Sequence, residues 1–222
     1  LTRQRDKIVS AIVGLDADVL GLIEVQNDSG GALATLVDAI NARLGGTVYA
    51  AVNSPRAGTD EIRVAMIYKP ANVRPIGSPR VGADPRFVVS GGLRPPLAQR
   101  FAANANDGGV WFIVNHLKSQ GGCPSSGDVD VGQGCRNLAS TVQAQALNDW
   151  AAQLVAASGE PDVLMAGDFN AYLQEDPINT LRAAGFTDLA ERLPLNERYS
   201  FVFDGFAGLL DHEFASASLN AQ

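Results

Sequence analysis

Long apolar runs are the first thing this sequence lacks. No stretch of its 222 residues approaches the roughly 18 uncharged apolar residues that cross a bilayer. The opening Leu1-Thr2-Arg3-Gln4-Arg5-Asp6-Lys7 also has no apolar core of the kind a signal peptide carries. A soluble chain without a membrane anchor is expected, and no feature of it marks an obligate protein partner. Positive charge is scarce too, since 17 Lys and Arg against 24 Asp and Glu leave a formal charge of -7. A passive binder of phosphate backbones needs a dense basic surface to release counterions, so that class is excluded. An enzyme acting on phosphates can still be acidic when a divalent cation supplies the positive charge locally. Cysteine is limited to Cys123 and Cys135, and neither has a nearby histidine or second pair at zinc-ligand spacing.

Those two cysteines enclose a loop rich in Gly, Ser and Asp. Paired, they would stabilise the chain by about 3 kcal/mol through loop entropy. Such a disulfide favours an oxidising compartment, so the expected location is secreted or periplasmic. Two free buried thiols are the alternative.

What is present is a chain with 46% hydrophobic residues, enough for one substantial core, and residues 1–222 are read as a single domain. Apolar positions at helical spacing predict helices over Thr2–Val13, ended by Gly14, over Ala32–Leu44, and over Arg136–Val155. Asp176-Pro177 opens a further helix, with Asp176 as candidate cap and Pro177 in its first turn. Strands are expected at Asp18–Val25, Thr47–Val52, Ile62–Tyr68, Leu97–Ala102, Val110–Asn115, Val163–Ala166, Tyr199–Phe203 and Leu209–Ala215. The Pro-, Gly- and Arg-rich stretch Asn72–Arg94 reads as an irregular excursion.

Several apolar runs end in the same way, with a polar residue just beyond them: Glu24, Asn115-His116, Asp168 with Asn170, and Asp211-His212. In a layered α/β protein such strand ends share an edge, where sites are commonly built. Both histidines of the chain are among them. Glu24 is a hard oxygen ligand of the sort magnesium accepts while bridging to a substrate phosphate. Asp168 and Asn170, two apart on a turn, can hold a water by an accepted and a donated hydrogen bond, and the carboxylate can take its proton.

Four motifs, Leu22-Ile23-Glu24-Val25-Gln26-Asn27, Val114-Asn115-His116-Leu117-Lys118-Ser119, Gly167-Asp168-Phe169-Asn170-Ala171-Tyr172 and Leu210-Asp211-His212-Glu213-Phe214-Ala215-Ser216, resemble in order and spacing the endonuclease/exonuclease/phosphatase superfamily. That group includes pancreatic-type deoxyribonucleases, abasic-site endonucleases and sphingomyelinases. The likeness is nearest to bacterial secreted nucleases, which share the Cys-bracketed loop and a segment like Tyr199–Gly205. The resemblance implies a four-layer α/β/β/α sandwich, here lacking its first and last strands, and a magnesium-dependent phosphodiester hydrolase acting on DNA or RNA, with manganese or calcium as other metals. It implies Glu24 as metal ligand, His116, Asp168, Asn170 and Asp211 as catalytic residues, and Arg94, His116 and Asn170 on the substrate phosphate. Arg100 and Arg63 compete with Arg94, and Lys118 is a further steering candidate. Asp211 resembles an aspartate that orients a histidine further along the chain, so the adjacent His212 is not its partner. With terminal strands missing, little or no hydrolysis is expected of this chain alone, and activity of a longer parent. A phospholipid or small phosphate-ester substrate, or a noncatalytic binding module, are the other readings.

Overall fold

The computed structural model describes residues 2–89 and 92–222. Helix α1 (Thr2–Leu15) buries Val9 and Ile12, and runs one residue past Gly14, where an end was expected. Strand β1 (Val19–Gln26) follows. Helix α2 (Gly31–Leu44) buries Leu33, Val37 and Ile40 and closes on Gly45, whose φ of 75° and N–H to the Asn41 carbonyl make the usual left-handed stop. Strands β2 (Ala50–Ala51) and β3 (Ile62–Tyr68) complete a three-stranded sheet of order β1-β3-β2. Only two residues of the strand expected over Thr47–Val52 pair, because Asn41 instead binds the backbone of Val48 and Tyr49 with its side chain.

The second sheet collects β4 (Val73–Val81), β7 (Leu97–Ala103), β8 (Gly109–His116), β9 (Val163–Asp168), β10 (Thr187–Asp188) and β13 (Asp211–Ala215). Two small hairpins, β5 (Val88–Val89) with β6 (Gly92–Leu93) and β11 (Phe201–Phe203) with β12 (Phe206–Gly208), stand outside it. Its order is β10-β13-β9-β8-β7-β4. Strand β4 corrects the expectation of an irregular Asn72–Arg94 stretch, of which Ser90 and Gly91 lie outside the described residues. Pro75 and Pro79 are tolerated because β4 is an edge strand, and Gly77, at φ 69°, sits where its pairing with β7 slips.

Helix α3 (Asn137–Ser158) carries the chain from β8 to the parallel β9, and α4 (Asp176–Ala183) packs beside it. The expected cap of α4 is off by one, since Glu175 stands at the N-cap and Asp176 is the first helical residue. A last short helix, α5 (Ala217–Asn220), is capped by the Ser216 hydroxyl.

Strand alternation sorts the apolar residues into three cores. Ala65 and Ile67 of β3 face the α1/α2 layer, while Val64 and Met66 face the other sheet. Phe112 and Val114 of β8 meet them between the sheets, and Ile113 turns instead to α3, against Leu147 and Met165. The result is a helix/sheet/sheet/helix sandwich, as expected. The sheets are in tight contact at Gly21, where an added Cβ would lie 2.6 Å from Val114 Cγ2. A Gly21→Val substitution should therefore destabilise the fold by about 1–3 kcal/mol, read as a lower urea midpoint. An unchanged midpoint would mean the sheets are not in contact there.

Candidate active site

Parity decides which strand-end residues meet. Along β9, Val163 and Met165 enter the α3 core, so Leu164, Ala166 and Asp168 share the face between the sheets. His116 follows Phe112 and Val114 onto that same face of β8. Pairing sets His116 beside Asp168 and Asp168 opposite Asp211, so the three form a row across β8, β9 and β13. Glu24 reaches the same end of the cleft from the other sheet. It lies in a bulge of β1, with φ 56°, where the register with β3 breaks between Leu22 and Val25. The inserted residue lets Val25 return to the helix side and frees Glu24 from the alternation.

His212 lies one residue along β13 and points the other way. Its ring is fully buried, with Nδ1 2.9 Å from Asp188 Oδ2 and Nε2 2.9 Å from the Ala171 carbonyl, and it stands edge-on to Phe169. His212 thus anchors the turn after β9 from below, and only His116 of the two histidines faces the cleft. Phe169, wholly buried against His212 and Phe214, pulls the turn inward so that Asp168 and Asn170 on either side stay at the cleft. Gly167 is required for the approach of β8. Its φ is 146°, and a Cβ there would fall 1.9 Å from the Asn115 carbonyl oxygen.

The polar contacts converge on one carbonyl. The Leu117 oxygen accepts from Arg94 Nη2 at 2.9 Å and from Asn170 Nδ2 at 3.1 Å. Asn170 takes a left-handed φ of 49°, and its N–H donates to Asp168 Oδ1 at 2.7 Å, fixing that carboxylate. Arg94 Nη1 approaches His116 Nε2 at 3.1 Å, and its Nε lies 3.7 Å from Asp60. An arginine only donates, so the nitrogen it meets is the acceptor of a neutral ring. The competing arginines are engaged elsewhere: Arg100 pairs with Glu160 at 3.0 Å, and Arg63 donates to Ser54. Lys118, next to the row, has its pKa lowered by burial and by the Arg136 and Arg94 charges.

Three supports carried no sequence signal. Asp60 holds Arg94 from a turn. Gln120 donates to Glu175 at 3.0 Å and to the Asn170 carbonyl, while Glu175 accepts from the Tyr172 N–H, tying the cysteine loop to the turn after β9. Cys123 and Cys135, the pair the sequence offers, are joined as a disulfide beside it. Asp128, between them, accepts from the N–H groups of Leu138 and Ala139 and so caps α3.

Charge at the cleft is unbalanced toward the negative. Burial first, then the charges of Asp211 and Glu24, push the Asp168 carboxyl up to about 6, against a lowering by the Asn170 N–H and by Arg94. Burial and the Arg94 charge depress His116 to about 4. The 3.5 Å approach of His116 Nε2 to Asp168 Oδ2 is therefore not an ion pair near neutrality. Among the described residues no three His, Cys, Asp or Glu side chains are grouped closely enough to hold a metal by themselves. Glu24, with Asp168 and Asp211 nearby, nonetheless fits a cation that keeps most of its shell as water and substrate oxygen, as magnesium does. The Asp211 and Glu24 charges, which add to burial in raising Asp168, favour a cation there.

In the chain's two-histidine NMR spectrum, the His116 ring should titrate near pH 4; a midpoint near 6.5 would refute its burial. The two pKa shifts also act oppositely on stability. The His116 contribution is present above 6.5 and is lost as pH falls through about 4, whereas that of Asp168 is present below 3.8 and is lost as pH rises through about 6. Asp168→Asn should thus make the loss of stability between pH 6 and 4 steeper, measured by urea unfolding across that range. Removing the other histidine with His212→Ala should cost about 3 kcal/mol, because it leaves a cavity beside Phe169 and Phe214 and takes from the buried Asp188 its nearest Oδ2 partner, with Arg182 and the Ala190 N–H remaining. A thermal midpoint unchanged from the parent would contradict that role.

The sequence matches the Endonuclease/Exonuclease/phosphatase family model over residues 1–222. No curated protein sequence matches it. Solved structures are similar in fold at low identity. ANGEL2, a 2',3'-cyclic phosphatase in complex with adenosine-2',3'-vanadate, is 14% identical with a TM-score of 0.70, the match covering 96% of this chain and 74% of that one. D. rerio TDP2, complexed with a single strand DNA product, is 16% identical with a TM-score of 0.64, over 98% of this chain and 78% of that one. A Bacteroides thetaiotaomicron mannosyl-6-phosphatase is 14% identical with a TM-score of 0.67, over 98% and 78%. With its whole length matched and this sandwich around the Glu24, His116 and Asp168 cleft, the chain belongs to the endonuclease/exonuclease/phosphatase family of phosphoester hydrolases.

Proposed function

We propose that the protein is a secreted, divalent-metal-dependent phosphodiesterase acting on nucleic acid, in which water attacks the phosphate in line. The observation that carries this reading is the row His116, Asp168 and Asp211 facing Glu24, with Arg94 and Asn170 hung from one carbonyl at its end. Arg94 supplies permanent positive charge for the phosphate, and its hold on His116 keeps that ring neutral. His116 hydrogen-bonds a phosphate oxygen through its remaining N–H. Asn170 positions the water, and the Asp168 carboxylate, fixed by the Asn170 N–H, takes its proton. Burial first, and then the Asp211 charge, raise the Asp168 carboxyl, which makes it a better base. A magnesium held by Glu24 would neutralise charge developing on the phosphate. The disulfide between Cys123 and Cys135 supports an oxidising location.

Nucleic acid is favoured among phosphodiesters by the match to a structure holding a single strand DNA product and by the aromatic surface described below. Other similar structures are of a cyclic phosphatase and a sugar phosphatase, so a small phosphate ester is the second reading. The test is plasmid nicking with added magnesium against chelator, by this chain and by a form extended at both ends. Metal-dependent cutting by the extended form is expected, with Asp168→Asn in that form lowering the rate at least about 100-fold while circular dichroism stays unchanged. Full activity in that variant would overturn the assignment, and cutting that persists in chelator would overturn the metal.

A further inference from the structure

A row of aromatic rings leads away from the phosphate cleft. Strands β11 and β12 form a hairpin around Asp204-Gly205, both with positive φ (49° and 83°), the geometry of a tight two-residue turn. Residues directly opposite each other share a face, so Phe203 and Phe206 project together, and Phe201 projects beside them opposite Gly208. Gly208 carries no side chain, and the Tyr172 ring fills that space: a Cβ at Gly208 would lie 2.3 Å from Tyr172 Cε1. One face therefore presents Tyr172, Phe201, Phe203 and Phe206 in succession. Tyr172 is two residues beyond Asn170, so the row begins at the phosphate-binding turn.

The rings are not folded into any core. Phe201, Phe203 and Phe206 are 42%, 68% and 79% exposed, and the first two lie parallel to within 10° with centroids 6.1 Å apart. Their support is rigid nevertheless. The Ser200 hydroxyl accepts the N–H groups of Leu210 and Asp211, and the Phe169 N–H donates to the Leu210 carbonyl, so the hairpin root is bonded to the strand that carries Asp211. Arg198 braces the other side by donating to the carbonyls of Leu193 and Glu191, each at 2.7 Å.

We propose that Tyr172 and the β11–β12 hairpin form a stacking platform for the bases of single-stranded nucleic acid whose phosphate lies in the cleft, because four aromatic side chains share one face that starts at the phosphate-binding turn. The proposal rests on the nucleic-acid reading above. It accounts for how a chain of formal charge -7 can hold a polyanion. Counterion release needs many cationic contacts, whereas stacking draws on the apolar faces of the bases. A bilayer is the poorer occupant: the Asp204 carboxylate stands at the hairpin tip, where insertion would carry it into hydrocarbon, and the acidic chain is repelled by anionic headgroups.

The test is fluorescence anisotropy with a labelled single-stranded octanucleotide in chelator, where no cutting occurs. Phe203→Ala/Phe206→Ala should weaken binding at least about 20-fold, and Phe203→Trp should retain it. Binding by the parent should fall only shallowly with salt, with a log–log slope no steeper than about -2. Unchanged affinity in the double variant overturns the platform. So does binding of phosphatidylcholine vesicles by the parent that is lost in the double variant while oligonucleotide affinity stays unchanged. Hydrolysis of bis(p-nitrophenyl) phosphate with magnesium, measured on the parent and its end-extended form, separates the two readings. If that ester is cleaved but the octanucleotide is not bound, the platform falls and the phosphodiesterase stands. If the ester is not cleaved by either form, the site reading itself fails.

Discussion

The two-residue period of the central strands is the constraint on which the site depends. In β8, β9 and β13 one set of alternate residues is committed to the α3 core, so the other set must line the space between the sheets. His116, Asp168 and Asp211 belong to that second set, and pairing then brings them side by side. A slip of one residue in any of the three strands would bury the acid or the imidazole under α3. The apolar residues that hold the register therefore hold the chemistry, and Gly167 keeps β8 and β9 close enough for it to work.

Electrostatics follows from that placement. The charges of Asp211 and Glu24 reach a largely buried Asp168, and Arg94 opposes them. The imbalance is costly to the folded chain, and on the proposed reading a cation would relieve it. The same crowding sets the protonation of the site, with a neutral imidazole and a carboxyl that changes charge close to neutral pH. Stability and reactivity thus draw on the same few residues, whereas His212, one position away, serves only the fold.

Much of this was legible in the sequence because it is periodic or terminal. The helices show in the spacing of Val9 with Ile12 and of Leu33, Val37 and Ile40, and the site residues show as polar ends of apolar runs. Strand β4 was not legible: its prolines contradict a central strand, and only the finished sheet reveals that it is an edge. The Asp60 brace and the Gln120 tie depend on side chains from distant segments meeting, which no local pattern encodes. The left-handed φ at Glu24 was equally hidden, because glutamate is not a residue that announces a bulge.

The edges of the two sheets differ in one further respect. At β4 the missing N–H groups of Pro75 and Pro79 leave a broken ladder, and β2 and β10 are two residues long, too short to template another strand. Strand pairing with another copy of the chain is thereby discouraged at β2, β4 and β10.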